Sequence, residues 1–292
     1  VVPADAATGL VDPGAVAAAV RPETVLVCVN HASNVTGTLQ DLGAIGAVLA
    51  RFGAGGDGQL LLLVDGAQSL GHTLVDMRAM RVDMLAFPGH KGLLGPTGTG
   101  GLCVRPGVEA RLDTVREGGT GSASEVPSHP TMMPEKYEAG SHNVVGIAGL
   151  GEGVRWLLER GVEAVRAHEL ELMARLTAHL RPAPDGRCAG APGLRLLGPI
   201  EPERRVGVFS FVHDELSAQE LSAALEVSYG VLTRAGLHCA PLVHELLGTS
   251  PAAGGSGAVR LSLGPFLTGE DVDYACAALG ALCREYAAVA VK

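Results

Sequence analysis

Three short polar clusters each follow an apolar run in the first third of the chain. His31-Ala32-Ser33-Asn34 follows Thr24 to Val29, Asp65-Gly66-Ala67-Gln68 follows Leu60 to Val64, and Gly89-His90-Lys91 follows Val82 to Phe87. Each run reads as a buried strand of a parallel sheet, and ligands bind beyond the carboxyl ends of such strands. Asp65 ends a run of leucine and valine, so its carboxylate starts from a dry strand and needs a partner. A cationic ring nitrogen is one such partner; capping the segment that follows is the other reading. Lys91 stands out by composition, because the chain uses three lysines against nineteen arginines. Arginine cannot form a Schiff base, whereas a partly buried lysine with a lowered pKa can. A solvated loop lysine is the plain alternative.

Other motifs fail on their own chemistry. The glycine-rich run Gly95 to Gly101 lacks the Lys-Ser/Thr that a phosphate-binding P-loop needs. His168-Glu169 and His244-Glu245 begin like a zinc-protease helix, but the position of the second histidine holds Leu172 in one and Gly248 in the other. The six cysteines (28, 103, 188, 239, 276 and 283) contain no C-x-x-C pair, which speaks against zinc and suits a reduced cytoplasm.

The elements that must position these residues follow a strand-helix-strand order. Asp12-Pro13 opens a short helix, and Leu39 to Phe52 has helical spacing with Gly53 as its C-cap. This order predicts right-handed crossovers and an α/β architecture. Val144 to Leu180 reads as long helix broken at Gly161, leading from a first domain (1–150) into a second (151–292). Arg181 to Pro202 reads as loops around short strands, with strands at Val206 to Val212 and Val259 to Leu263. Ser217 and Glu220 form a capping box for a helix to Tyr229, and Thr268 caps a last helix reaching Ala288.

Composition narrows the function classes. At 292 residues the chain can bury a sizeable core. A net charge of −9 and 3% aromatic residues argue against nucleic acid and anionic membrane as partners. No apolar run reaches the roughly 20 residues of a membrane span, and no secretory signal is present.

Taken together, the clusters are more specific than any one alone. HASNVTGT (31–38), VDGAQSLGH (64–72), FPGHKGLLGPTGTGGL (87–102), YEAGSHN (137–143), RAGLHCAPL (234–242) and VRLSLGPF (259–266) occur in that order. This series resembles the class V aminotransferase group of fold-type I pyridoxal-phosphate enzymes, above all the cysteine desulfurase-like proteins. The resemblance implies a mainly parallel large domain, a smaller α+β C-terminal domain and a homodimer. It implies that Lys91 carries pyridoxal 5'-phosphate, that Asp65 pairs with its ring nitrogen, and that Gln68 bonds its phenolic oxygen, with Asn34 on the substrate side. His90 would reach the phosphate, Ser141 the phosphate of the other subunit's cofactor, and Arg260 the substrate carboxylate. Arg234 is the second candidate for substrate positioning. Pro88 stands where many relatives have a serine donor to the phosphate.

The resemblance also makes Cys239 the residue that selects the reaction. As a thiolate, with His238 helping to lower its pKa, it would take sulfur from L-cysteine as a persulfide and leave alanine. A structural cysteine is the alternative there, and the other five cysteines read as core. A selenocysteine lyase and an aminotransferase stay open, and a sulfur-acceptor protein is an implied partner. The match begins partway into the family's large domain: the Gly/Thr phosphate loop and the ring that stacks on the cofactor are not found in residues 1–30. The chain therefore reads as a fragment or as a natural truncation, and in the latter case a non-catalytic dimerisation module is the competing class.

Overall fold

The computed structural model describes residues 1–122 and 125–290. The Asp12 side chain accepts from the Gly14 and Ala15 amides and opens α1 (Pro13–Ala18), with proline where no amide is needed. There follow β1 (Leu26–Asn30), α2 (Leu42–Leu49), β2 (Leu61–Asp65), β3 (Met84–Pro88) and β4 (Gly100–Val104). The helix α2 starts later than its apolar spacing suggests, because the Asp41 side chain caps it, and it ends through a 3-10 turn at left-handed Gly53. Strands β1, β2 and β3 lie side by side in parallel, and β4 closes the row antiparallel to β3. Leu42, Ile45 and Leu49 of α2 pack on Leu60, Leu62, Val64 and Leu85 to form the first core.

Two sequence expectations fail at the outer strands. β1 is exposed at alternate residues rather than buried throughout, because among the described residues only β2 pairs with it. Cys28 on β1 and Cys103 on β4, both expected in the core, are exposed for the same reason, while Cys188, Cys276 and Cys283 are buried. β4 escapes pattern reading altogether. Its first residues are glycines that carry no apolar signal, and a side chain at Gly101 would strike the Phe87 ring.

Helix α3 (Val144–Arg160) and helix α4 (Val162–Leu180) meet at Gly161, whose φ of 84° breaks the run as the spacing predicts. Beyond them lie β5 (Leu194–Leu197), β6 (Val208–His213), α5 (Ala218–Tyr229), β7 (Arg234–Gly236), α6 (Pro241–Leu246), β8 (Ala258–Ser262) and α7 (Gly269–Ala290). The second sheet is antiparallel in the order β5-β6-β8-β7. Both expected caps are present: the reciprocal Ser217–Glu220 box opens α5, and Thr268 exchanges bonds with Asp271 at the start of α7. Leu172, Met173, Leu176 and Leu180 of α4 join Phe209, Phe211, Leu279 and Leu282 in the second core.

Arg205 joins the two halves. Its guanidinium is fully buried, donates to the carbonyls of Thr36, Pro199 and Val208, and stacks 3.8 Å from the centroid of the Phe209 ring. Burial pushes its pKa down to about 9, yet neutral carbonyls and an aromatic face still satisfy most of its donors. It thereby sews the loop after β1 to the second sheet. No helix among the described residues is long and apolar enough to cross a membrane.

Candidate active site

The parallel register sets the first half of the site. Asn30 and Asp65 are paired at the ends of β1 and β2, and the Asn30 amide approaches one Asp65 oxygen at 3.5 Å. The Ala67 amide donates to the other oxygen at 2.8 Å. Asp65 is not in the dry setting expected from its strand: it is exposed, because the strand ends there and its side chain opens into a cavity. Beside it the chain from Gly66 to Thr73 coils back on itself through amide bonds to Gly66 and Ser69 carbonyls, presenting Gln68.

The turn after β3 brings up Lys91. It is held by Gly89 to Thr99, Gly95 to Gly89 and Leu94 to Lys91 backbone bonds. Loss of water around the amine lowers the Lys91 pKa, and the positive charges of Arg260 and Arg234 lower it further, against Asp65 and Cys239. A lowered amine pKa leaves more of the free base, the form that attacks a carbonyl.

The segment after β7 and helix α6 supply the opposite wall through Cys239, Ala240, Val243, Leu246 and Leu247, whereas Arg234 and Arg260 of the second sheet do not line the cavity. Arg234 on β7 and Arg260 on β8 are cross-strand partners, so both guanidinium groups leave the sheet at one place. Arg260 donates to the Asn34 carbonyl at 3.0 Å, while its Nε is buried with no partner. The Asn34 side chain donates in turn to the His238 carbonyl. Asn34 is therefore a tie between the two sheets as well as a lining residue of the cavity.

Cys239 is the second of two successive residues in left-handed backbone, at φ of 53° for His238 and 61° for Cys239. Each such residue costs about 1–2 kcal/mol, so the surrounding contacts must impose the turn. Its effect is to swing the thiol out while the His238 ring goes in. His238 cannot assist the thiol as the sequence suggests. Its ring is buried 5.6 Å from that of His244, both its nitrogens lack partners, and burial followed by the charge of Arg260 pushes its pKa down to about 4. The neighbour of the sulfur is instead Arg234, whose Nη2 lies 3.1 Å from Cys239 Sγ. Sequence spacing held the clue, since residues five apart meet when the segment between them reverses.

One cavity of about 710 Å³ is lined by Asn34, Asp65, Gln68, Lys91 and Cys239, with valines of β1 and of the N-terminal segment and Val243, Leu246 and Leu247 around α6 as its apolar wall. His90 is exposed beside Lys91, and Ser141 is exposed in the segment before α3; neither lines the cavity. No group of acidic, histidine or cysteine residues suited to a metal ion occurs among the described residues.

The aminotransferase class-V family pattern matches residues 1–275, which is nearly the whole chain. The chain belongs to the aminotransferase class-V family. Among curated members of this family, a probable cysteine desulfurase of Methanothermobacter thermautotrophicus is 34% identical over 267 residues, covering 90% of this chain and 62% of the relative. A cysteine desulfurase of Escherichia coli is 33% identical over 255 residues, covering 86% of this chain and 56% of the relative. The apo cysteine desulfurase of Thermococcus onnurineus superimposes with a TM-score of 0.79 at 27% identity, over 97% of this chain and 66% of that one. In sequence and fold the chain is thus cysteine desulfurase-like and of the fold-type I class, and it spans roughly half to three fifths of the length of those curated relatives.

Proposed function

We propose that this chain carries the lysine-bearing and sulfur-accepting portions of a pyridoxal-phosphate-dependent cysteine desulfurase-like enzyme that converts L-cysteine to alanine. The observation that carries the reading is that Lys91 and Cys239 line one cavity, with Arg234 on the sulfur. The donor set suits pyridoxal phosphate at its ring end: an amine for the aldehyde, the Asp65 carboxylate for the ring nitrogen, the Gln68 amide for the phenolic oxygen. At the phosphate end Pro88 offers no donor, which leaves His90, and Ser141 from a second copy in a homodimer.

When bound, pyridoxal phosphate supplies an electron sink for a carbanion at the substrate α-carbon. Lys91, whose amine pKa is lowered by loss of water, would take the α-proton. Arg260 holds the substrate carboxylate through the guanidinium edge not used by Asn34. The Cys239 sulfur, beside Arg234, attacks the substrate sulfur; an S–S bond forms as the Cβ–S bond breaks, its electron pair goes to Cβ, which takes a proton, and alanine leaves with a persulfide remaining on Cys239. In this reading residues 1–150 form the cofactor-binding unit and 151–292 the unit carrying the sulfur acceptor. The persulfide passes to an acceptor protein, in cytoplasmic sulfur metabolism.

Two measurements test the proposal. Borohydride reduction with pyridoxal phosphate is expected to label Lys91 and to label nothing in Lys91→Ala. With L-cysteine, Cys239→Ala is expected to release no sulfide while still being labelled at Lys91. Labelled protein whose turnover is indifferent to Cys239→Ala refutes the desulfurase reading in favour of transamination. Absence of label in the wild-type chain favours a non-catalytic fold-type I module.

A further inference from the structure

Glu169 is a fully buried carboxyl group in the middle of α4 and does not line the cavity. An isolated buried charge is costly, so its partner is informative. That partner is His72, whose Nδ1 lies 2.8 Å from Glu169 Oε1; the other oxygen, Oε2, has none. Arg166, one turn earlier on α4, adds positive charge nearby but spends its own Nη2 on the carbonyls of Pro202 and Glu203.

His72 is the last part of the coil that begins at Asp65, its amide bonded to the Ser69 carbonyl at 3.0 Å. The far edge of its ring rests on the backbone of Gly92, where an added Cβ would stand 2.7 Å from His72 Nε2. Gly71, at a φ of 85°, packs against the carbonyl of the same Gly92, so neither glycine admits a side chain. On the opposite side Gly153 of α3 presses against the carbonyls of Leu93 and Leu94. The turn that bears Lys91 is thus gripped between α3 and a histidine ring fixed by Glu169.

The other end of α4 belongs to different surroundings. From Leu172 onward its apolar face is built into the core beneath the sheet that bears Arg234 and Arg260. A chain of contacts therefore runs from the second core along α4 to Glu169, and through the His72 ring to Gly92, the residue next to Lys91.

We propose that Glu169 is a positioning residue: through the His72 ring it holds the Lys91 turn in register with the sheet that presents Arg234, Arg260 and Cys239. The inference rests on the reading of Lys91 as the cofactor lysine, but its first test does not use the cofactor. The probes are amide hydrogen exchange of the cofactor-free chain and the rate at which Lys91 is trapped by pyridoxal phosphate and borohydride. The variants are Glu169→Gln, His72→Gln and the double variant.

A buried hydrogen bond of this kind is worth enough that its loss speeds local opening about tenfold. Amides of residues 89–95 and 69–73 are expected to exchange about tenfold faster in each single variant, and no faster still in the double variant, while the α7 core peptide is unchanged. Lys91 trapping is expected to slow about tenfold, while alkylation of Cys239 keeps its wild-type rate. Unchanged exchange at 89–95 overturns the proposal. So does equal acceleration in every peptide, in either single variant, because that marks the pair as general structural support. Wild-type protein that is not trapped at all, but whose variants show the local exchange pattern, defeats the cofactor reading and leaves the mechanical link standing.

Discussion

Acidification from pH 8 to pH 5 is expected to remove about 4 kcal/mol of folding stability through two buried histidines alone. His31 and His238 are 4% and 2% exposed, and their pKa values are pushed down to about 4 from 6.5. For His31 the cause is loss of water; for His238 it is loss of water, then the charges of Arg260, His244 and Arg234. Unfolded imidazoles bind protons that the folded ones refuse, so stability rises with pH between about 4 and 6.5 and falls as pH drops through that window. At pH 5 each group contributes a loss of about 2 kcal/mol, growing to about 3 kcal/mol once both states are protonated. Asp273, held near 2 by Arg175 and His179, acts only at lower pH and does not blur the window. The assay is urea unfolding at pH 8, 7, 6 and 5, beside a His31→Gln, His238→Gln double variant. The wild type is expected to lose stability steeply below pH 6.5 and the double variant clearly less, with a residual slope from buried His244, whose pKa loss of water also lowers. A wild-type midpoint that does not move between pH 7 and 5, or an equal slope in the double variant, refutes the reasoning. Because His31 follows β1 and His238 precedes Cys239, the cavity should open with the same pH dependence, seen as faster alkylation of Cys239 than its own thiolate content predicts.

Three further outcomes follow from the packing. Arg205→Met strands the carbonyls of Thr36, Pro199 and Val208 in the interior and is expected to cost about 3–5 kcal/mol in urea unfolding; a loss under about 1 kcal/mol would mean that these carbonyls find water. Gly71→Ala combines left-handed backbone with a clash against the Gly92 carbonyl and is expected to cost about 2–4 kcal/mol and to slow Lys91 trapping. Arg234→Gln removes the donor to Cys239 Sγ, and alkylation of Cys239 at pH 7 is expected to slow several-fold, whereas His238→Gln leaves it near the wild-type rate; the reverse order would restore the histidine as the helper.

Much of this protein was legible in one dimension because the signals are local. Caps act within a few residues, so Asp12, Gly53, Gly161, Ser217 and Thr268 mark helix ends from sequence alone. Apolar runs followed by polar clusters mark strand ends, and six ordered motifs mark the family. What the sequence leaves open lies in contacts that no local pattern encodes. Arg260 meets the Asn34 carbonyl across 226 residues, and His72 meets Glu169 across 97. The burial of β1, Cys28 and Cys103 depends on which strands pair beside them, and side-chain identity does not carry that information. At Cys239 the decision was made by backbone torsion: two left-handed residues turn His238 inward and the thiol toward Arg234. Residue types determined which chemistries were available here, and the tertiary structure decided which groups stand close enough to perform them, because proton and sulfur transfer depend on distance and solvation.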